Sequence, residues 1–423
     1  MDNIFKVKHM KRRVVITGWG LVTSLSCDVD DCWNRVLEGE SGIHDLKLFQ
    51  SDDIKVQIGG DVYDWDASEL LGQKEANKVD RYSQFAMVAA LDAFKSAGIE
   101  TKGHANAARF GCILGSGIGG MTTLSEQMTR LVLKGPSRVS PMTIPKLMLN
   151  AGGGNIAITH GLRGPNYSVA TACASATNAM GNAWESITSN VCDLVVTGGS
   201  EAALSRLAMA AFANMKALSY FKGEPAEASR PFDAERAGFV FSEGAGVLIF
   251  EELEHAQARG ATILSEVVGF GTSCDAGHIT SPDEHGTGAA AAMKMAIESA
   301  GLQPEDIDYI NAHGTSTPLG DKAETKAVKT IFGDHAYKVS ISSTKSQLGH
   351  SLGASGGIEL VLSTKAILEG TVPPTINLDT PDPDCDLDYT PNTPKKRDIT
   401  YAMSNSFGFG GHNASIIIKK FIA

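Results

Sequence analysis

The stretch Val169-Ala170-Thr171-Ala172-Cys173-Ala174-Ser175-Ala176-Thr177-Asn178-Ala179-Met180-Gly181 is the most informative part of the chain. A short β-like run changes abruptly into small residues that open a helix, and Cys173 stands at the junction. The N-terminus of a helix carries about half a positive charge and unpaired N–H groups, which favour a thiolate and can bind an oxyanion. The pattern indicates a nucleophilic cysteine, and the alternative is a small cysteine buried in the core.

Strand-like and helix-like segments alternate on both sides of this stretch. Apolar, β-branched runs predict strands at 13–17, 109–114, 194–197, 246–250, 309–311 and 415–418. Helices are predicted at 82–97, 177–189, 288–300 and 321–332. The alternation predicts an α/β fold with a buried parallel sheet that helices cover on both faces, and the charged stretch 251–260 marks a boundary between two strand-rich parts.

Length, composition and charge restrict the class of protein. The chain has 423 residues, of which 43% are hydrophobic and 20% charged, as in an ordinary globular enzyme. Its formal net charge of −11 argues against binding to nucleic acid or anionic lipid, because both need clustered Lys and Arg. No apolar run approaches the roughly 20 residues that span a bilayer, and 1–13 has no h-region, so we expect a cytoplasmic protein.

The cysteines indicate neither a disulfide framework nor a zinc site. They are seven in number, form no CxxC pair and are widely spread, at 27, 32, 112, 173, 192, 274 and 385. We therefore expect a reducing compartment, no bound metal, and one thiol free to act as a nucleophile.

Three further segments place polar or glycine-rich residues next to predicted strands, where α/β proteins often carry their sites. They are 311–321 with His313, Thr315 and Thr317, 343–359 with Lys345, His350 and Glu359, and 404–413 with Phe409. A single histidine is more often structural than catalytic. The glycine-dense segment 404–413 is expected to be a loop, and its alternative is a hairpin-like turn with two core aromatic residues.

Together, the four motifs carry a family resemblance. Thr-Ala-Cys-Ala-Ser, His-Gly-Thr-Ser-Thr-Pro-Leu-Gly-Asp, Lys-Ser-Gln-Leu-Gly-His-Ser-Leu-Gly-Ala and Asn-Ser-Phe-Gly-Phe-Gly-Gly-His-Asn resemble, in this order, the β-ketoacyl-[acyl carrier protein] synthases, most of all the type II elongating synthases. The likeness covers nearly the whole chain. It implies a thiolase-like five-layer α-β-α-β-α fold from two similar halves, 1–260 with the nucleophile and dimer contacts, and 261–423 with the catalytic histidines.

The resemblance implies a decarboxylative Claisen condensation in fatty acid elongation. Cys173 would take the acyl group from an acyl carrier protein (ACP), and His313 and His350 would stabilise the enolate formed when malonyl-ACP loses CO₂. Backbone N–H groups of Cys173 and Phe409 would hold the tetrahedral oxyanion. The products would be 3-oxoacyl-ACP, CO₂ and free ACP, with no cofactor beyond the phosphopantetheine of the ACP.

The resemblance also assigns supporting roles. Lys345 and Glu359 resemble an electrostatic, orienting pair, Thr315 and Thr317 match residues that bind the phosphopantetheine arm, Phe409 matches an aromatic gate, and Phe212 matches a wall of the acyl pocket. Basic residues stand where similar enzymes dock the ACP, at Lys74, Lys78, Arg138 and Lys216, although Asn77 and Ser137 occupy places that are often basic. A homodimer joined through strands of the first half is implied as well.

Three other functions compete with this assignment. A dinucleotide-dependent oxidoreductase is suggested by the glycine-rich segments 18–23 and 115–120, each of which follows a predicted strand, but Glu38 and Glu40 do not end a second strand. A non-catalytic chain-length factor would lack the cysteine nucleophile that Cys173 provides. The third is a thiolase or a polyketide-type ketosynthase, and the two-histidine pattern favours a decarboxylating synthase over a thiolase.

Overall fold

The structure, a computed structural model, describes residues 12–49 and 53–422. Residues 1–11 lie outside the described part, and the prediction of no h-region in 1–13 falls mostly on them. The strands are β1 (Val14–Val22), β2 (His44–Asp45), β3 (Ile58–Gly59), β4 (Phe110–Gly115), β5 (Asn166–Val169), β6 (Leu194–Glu201), β7 (Gly244–Glu252), β8 (Ser265–Cys274), β9 (Tyr309–Asn311), β10 (Ser340–Ser342), β11 (Thr371–Val372), β12 (Lys395–Lys396), β13 (Tyr401–Gly408) and β14 (His412–Lys419). The helices are α1 (Val29–Leu37), α2 (Ser68–Leu71), α3 (Gln73–Ala76), α4 (Arg81–Ala97), α5 (Met121–Lys134), α6 (Thr143–Leu147), α7 (Ala151–His160), α8 (Ser175–Thr188), α9 (Arg206–Asn214), α10 (Leu253–Ala258), α11 (Thr287–Ala300), α12 (Pro318–Phe332), α13 (Lys345–Leu348) and α14 (Ser355–Glu369).

Capping residues set the ends of helices that carry or flank the site. The helix α4 begins after Asp80, whose carboxylate accepts a hydrogen bond from the N–H of Tyr82, and it ends at Gly98, which has a φ of 60°. The helix α12 begins after Thr317, whose hydroxyl oxygen accepts from the N–H of Gly320. All the strands and helices predicted from the sequence are present, with bounds that differ by a few residues.

Ten strands form one mixed sheet in the order β10-β9-β13-β14-β8-β1-β7-β6-β4-β5. At its flanks β4 pairs in parallel with β5 and β6, and β9 pairs in parallel with β10 and β13. The pairings between these flanks are antiparallel. The prediction of a parallel sheet is therefore right at the flanks and wrong at the centre, because β6 and β13 are each followed by an antiparallel neighbour.

The strand β8 was not predicted because glycines interrupt its apolar run. A Cβ on Gly271 would lie 2.2 Å from the carbonyl oxygen of Ala292, and one on Gly269 would lie 2.4 Å from that of Ala296. These glycines let α11 pack directly against the strand, so they serve sheet–helix contact and do not mark a turn.

The two halves of the sheet have the same topology. The first half contributes five strands to the large sheet. Numbered along the chain, they lie side by side in the order first, fifth, fourth, second and third, which is β1-β7-β6-β4-β5. The order β8-β14-β13-β9-β10 repeats this arrangement in the second half. The pairing of β1 with β8 joins them, and the repeated order confirms the expectation of two similar halves.

Helices cover both halves in five layers. The helices α4 and α7 pack on the outer face of the first half, and α11 packs on the outer face of the second half with α12 against it. The helices α8 and α14 lie in the middle and contact strands of both halves. This arrangement confirms the expected α-β-α-β-α fold and brings the N-termini of the two middle helices together.

The glycines of β1 that suggest a dinucleotide-binding loop serve helix packing instead. A Cβ on Gly18 would lie 2.2 Å from the carbonyl oxygen of Ala93, and one on Gly20 would lie 2.1 Å from that of Ala89. Both glycines are inside the strand, with α4 pressed against them. They therefore leave no space for a pyrophosphate beside that segment.

Candidate active site

Cys173 lies in a tight turn between β5 and α8. Ala172 has a φ of 48°, in the left-handed region that non-glycine residues seldom adopt, and the N–H of Ala174 donates to the carbonyl of Thr171 at 3.0 Å. Gly408 of β13 packs so closely on this turn that a Cβ there would lie 3.0 Å from the amide nitrogen of Cys173. The strained turn and the neighbouring strand therefore fix the thiol next to the start of α8.

Burial decides the protonation state of the Cys173 thiol. It raises the pKa of Cys173 to about 12, although the charge of Lys345 and the backbone N–H groups of Phe409 and Cys173 lower it. The expected preference for a thiolate is thus not met at rest, because the loss of water around the sulfur outweighs the charge of Lys345 and the two N–H groups. The Nε2 atom of His350 lies 3.0 Å from Sγ and is placed to take the proton when the sulfur reacts.

His350 is held by its backbone and by its second ring nitrogen. Its N–H donates to the carbonyl of Val240 at 2.7 Å, and its Nδ1 lies 3.0 Å from the hydroxyl oxygen of Ser355. Burial, and next the charge of Lys345, lower the pKa of His350 well below its usual value, so the imidazole is neutral. A hydroxyl can donate to or accept from Nδ1, so Ser355 satisfies either neutral tautomer.

His313 follows β9 and faces His350 edge-on. The centroids of the two rings are 5.4 Å apart with an interplanar angle of 85°. The N–H groups of His313 and Gly314 donate to the two carboxylate oxygens of Glu324, at 2.9 and 2.8 Å. Burial, with the charges of Lys345 and His350, lowers the pKa of His313 well below its usual value, so this ring is neutral as well.

The sulfur and the two imidazoles form one compact group. One donor atom each of Cys173, His313 and His350 lies within 4.8 Å of the others. Such a set of sulfur and nitrogen atoms can bind a soft metal ion, but the 3.0 Å contact between the thiol and His350 is already a hydrogen bond. Two neutral imidazoles beside a thiol suit the activation of a nucleophile and the stabilisation of an oxyanion.

A cavity of about 550 Å³ leads to this group. Phe212, one of its walls, packs edge-on against Phe239 and Phe241 at centroid distances of 5.5 and 5.2 Å. The hydroxyls of Thr315 and Thr317, which also line it, lie 3.0 Å apart. The cavity therefore brings together Cys173, both histidines, both threonines, Phe212 and Phe409.

Two models of protein-family domains match the chain. The model of the β-ketoacyl synthase N-terminal domain matches residues 11–256, and that of the β-ketoacyl synthase C-terminal domain matches residues 264–379. The chain belongs to the β-ketoacyl synthase family.

Individual relatives cover almost the whole chain. The protein named 3-oxoacyl-[acyl-carrier-protein] synthase 2 in Synechocystis sp. is 47% identical over 411 residues, which are 97% of this chain and 99% of that protein. Proteins with the same name in Coxiella burnetii and Staphylococcus aureus (strain N315) are each 45% identical, with the same coverage.

Solved structures of similar fold come from the same family. A β-ketoacyl synthase from Burkholderia phymatum is 33% identical with a TM-score of 0.88 and covers 97% of this chain and 100% of that one. A ketosynthase bound to a hexaketide, solved in complex with its type II polyketide synthase acyl carrier protein, is 32% identical with a TM-score of 0.89 and the same coverage.

In this β-ketoacyl synthase, Phe409 stands at the tip of a hairpin. The segment 404–413, expected to be a loop, is in fact the end of β13, a short turn and the start of β14. Gly410 and Gly411 have φ values of 85° and 73°, which only glycine adopts readily. The turn places Phe409 in the lining of the cavity, where its backbone N–H lowers the pKa of Cys173.

Lys345 and Glu359 form a buried ion pair next to the cavity. Lys345 Nζ contacts Glu359 Oε1 directly, and each residue is 2% exposed. Neither residue lines the cavity that holds the thiol and the two histidines. Glu359 is therefore linked to the site through its contact with Lys345, whose charge lowers the pKa values of both imidazoles.

Residues with a supporting place in the site were missed by sequence reasoning. They include Glu324, which holds the backbone of His313, and Ser355, which contacts the ring of His350. Burial raises the pKa of Glu324 to about 7. Glu324 could have been noticed as a second acidic residue on the predicted helix, three positions after Asp321. The sequence does not show, however, that the backbone of 313–314 lies against it.

The predicted ACP-docking residues are on the surface. Lys74, Lys78, Arg138 and Lys216 are all exposed. Lys216 lines the mouth of the cavity, whereas Lys78 lies 2.6 Å from Glu75 and is partly neutralised. Docking of an acidic partner here stays a prediction.

The buried pair Lys345–Glu359 gives a stability prediction. Lys345→Met should lower the free energy of unfolding by about 3–5 kcal/mol, because it leaves a buried carboxylate without its counter-charge. Adding Glu359→Gln to this variant should restore part of the loss. Urea unfolding followed by circular dichroism measures both changes.

The matched control is the exposed pair Lys294–Glu298, whose side chains are both 66% exposed. Lys294→Met should change the free energy of unfolding by less than about 1 kcal/mol. Equal losses in the single and double variants of the buried pair would contradict the ion-pair account.

Proposed function

We propose that this chain condenses an acyl group, held as a thioester on Cys173, with malonyl-ACP that loses CO₂, giving 3-oxoacyl-ACP and free ACP in fatty acid elongation. The observation that carries the proposal is the contact of the Cys173 thiol with His350 Nε2 at 3.0 Å, beside His313 and at the end of an apolar cavity. Substrates would arrive on the phosphopantetheine of the carrier protein, and the chemistry needs no further cofactor.

The first step is acyl transfer to the sulfur. As Cys173 Sγ attacks the acyl thioester, its proton passes to His350 Nε2, and the new S–C bond forms while the bond to the pantetheine sulfur breaks. The N–H groups of Cys173 and Phe409, which both lower the pKa of the Cys173 thiol, would stabilise the oxyanion of this step. The leaving thiolate then takes the proton from His350, and free ACP departs.

The second step makes the carbanion by decarboxylation. The bond between the malonyl methylene carbon and its carboxyl group breaks, CO₂ leaves, and the electron pair passes into an enolate of the thioester. Neutral His313 can donate its N–H to that enolate oxygen, and neutral His350 can do so in the tautomer that carries its proton on Nε2, which Ser355 also satisfies. The methylene carbon then attacks the acyl carbonyl on Cys173, the C–C bond forms and the bond from the acyl carbon to Sγ breaks. The thiolate that leaves takes up one proton from solvent, which balances the loss of the malonyl carboxylate as CO₂.

The cavity walls favour an alkyl chain over a polyketide chain. Phe212, Phe239 and Ile118 present apolar surface, and each buried methylene gains about 0.8 kcal/mol. The carbonyl groups of a polyketide would instead lose their water without replacement partners on these side chains. The identities to the synthase 2 relatives, at 45–47%, also exceed the 31–32% to polyketide and ishigamide ketosynthases.

We also propose a protein partner, a cellular location and a division of the chain into two functional halves. The ACP would dock at the exposed basic residues near the cavity mouth, with its phosphopantetheine along Thr315 and Thr317. None of the helices in 12–49 and 53–422 is long and apolar enough to cross a membrane, and we propose action in the cytoplasm. The two functional halves would be 1–260, with the nucleophile, and 261–423, with both histidines.

A homodimer through the first half is also proposed. The strand β5 is an outer strand of the sheet and pairs with β4 on one side only. Large apolar side chains are exposed on α7, which contacts β5, with Ile158 at 78%, and on α5, with Val132 at 76% and Leu133 at 74%. An open strand edge beside such a surface fits the same strand and surface of a second copy.

Cys173→Ala should abolish acylation of the protein. Wild-type protein incubated with acyl-ACP should gain the mass of one acyl group, because Cys173 is the nucleophile, and intact-mass spectrometry measures this gain. Cys274→Ala, at an exposed cysteine, is the matched control and should keep the full gain. Unchanged acylation in Cys173→Ala would refute the assignment.

His313→Ala should suppress the release of CO₂ from malonyl-ACP more than it suppresses acyl transfer, whereas His350→Ala should suppress both steps, because His350 also takes the proton of Cys173. Each removal takes away one donor to the enolate oxygen, and loss of one such donor typically costs about 100- to 1,000-fold in rate. Release of labelled CO₂ measures the effect. Normal release from both variants would show that the imidazoles do not stabilise the enolate.

Sedimentation analysis should give twice the mass of one chain. The double substitution Val132→Glu and Ile158→Glu should shift the protein to monomer, because it places charge inside a buried apolar contact. Leu368→Glu, which changes an apolar residue with 46% exposure on α14, should leave the dimer intact. A wild-type monomer at micromolar concentration would refute the proposed dimer.

A further inference from the structure

Glu201 joins two walls of the cavity through four hydrogen bonds. It is the last residue of β6 and is fully buried. Its Oε2 accepts from the N–H of Gly117 at 2.7 Å and from that of Gly353 at 3.2 Å. Its Oε1 accepts from the hydroxyl of Ser116 at 3.1 Å and from the N–H of Ile118 at 3.2 Å.

The donors come from two distant parts of the chain that both border the thiol. The segment 116–118 follows β4, and Gly353 follows His350 in the second half. Ile118 and Leu352, the apolar residues of these two walls, line the cavity and pack in one cluster with Cys173. The carboxylate of Glu201 therefore connects two segments of the cavity wall that both pack near the acyl-accepting sulfur.

The junction leaves no room for another side chain. A Cβ on Gly353 would lie 2.3 Å from the amide nitrogen of Gly117 and 2.6 Å from Glu201 Oε2. A Cβ on Gly117 would lie 2.9 Å from the same oxygen. The backbone of 116–118 and the backbone at Gly353 therefore both lie directly against the carboxylate. A substitution of Glu201 should move these two segments.

Glu201 has no cationic partner in the described part of the chain, in contrast to the buried residues Glu243 and Glu251. Glu243 pairs with Arg81, and Glu251 pairs with Arg259. Within 12–49 and 53–422 no ion pair involves Glu201, and burial raises its pKa to about 7. A buried carboxylate without a counter-charge lowers the stability of the folded protein. Here the carboxylate accepts hydrogen bonds from four donors, and these bonds hold the cavity walls.

We propose that Glu201 is a positioning residue that sets the spacing of Ile118 and Leu352 beside Cys173 and so determines which acyl-chain lengths the enzyme accepts. The proposal rests on the proposed acylation of Cys173. A long acyl chain must pass between the two walls, whereas a short chain ends near the sulfur. Loss of the carboxylate should therefore affect long chains more than short ones.

The test measures kcat/KM of Cys173 acylation with acyl-ACPs of graded length. In Glu201→Gln the value for long chains should fall about tenfold, and that for the shortest chain less than about twofold, because the amide cannot accept from all four donors. Ser116→Ala, which removes one donor and keeps the carboxylate, should shift the profile in the same direction by a smaller factor. If Glu201→Gln does not fold, the chain-length profile of Ser116→Ala tests the proposal.

Glu251→Gln is the matched control, since it changes a fully buried glutamate whose partners are Thr17, His255 and Arg259. It should leave the ratio of long-chain to short-chain values unchanged. An unchanged ratio in both Glu201→Gln and Ser116→Ala, or an equal loss at every length, would overturn the inference. Absence of acylation in the wild type would instead overturn the proposed function.

Discussion

The hydrogen bond between the Cys173 thiol and His350 is the contact on which the rest of the site depends. Its two residues are 177 positions apart in the chain. They meet because α8 and α14 share the middle layer, and because each residue stands in a turn just before one of these helices. The five-layer fold thus serves to bring two helix starts, one from each half, to the end of a single cavity.

Exclusion of water gives the site its resting state. The same burial that raises the pKa of Cys173 lowers the pKa values of His313 and His350, so a thiol and two neutral imidazoles coexist. Lys345 adds to the lowering of both imidazole pKa values, and Glu359 balances its charge. Charge therefore appears only during the reaction, where fixed N–H donors stabilise it most.

Strand and helix periodicity predicted an α/β fold, whereas the five-layer arrangement of two halves and the candidate site residues came from the resemblance of four short motifs to the β-ketoacyl synthases. The antiparallel centre escaped prediction, since β8 and β13 are rich in glycine and serine and lack the expected alternation. The protonation of Cys173 could not be predicted either, because it depends on burial by distant segments. Glu324 and Glu201 were missed because most of their donors are backbone N–H groups, which have no signature in the sequence.

The most direct test of the account is a single turnover of protein already acylated on Cys173, mixed with malonyl-ACP labelled in its methylene carbon or in its free carboxyl group. The account predicts that the acyl group leaves Cys173 and appears in 3-oxoacyl-ACP joined to the labelled methylene carbon, while the carboxyl label leaves as CO₂ in equal amount. A product that retains the carboxyl label, or one formed while the acyl group stays on Cys173, would contradict it.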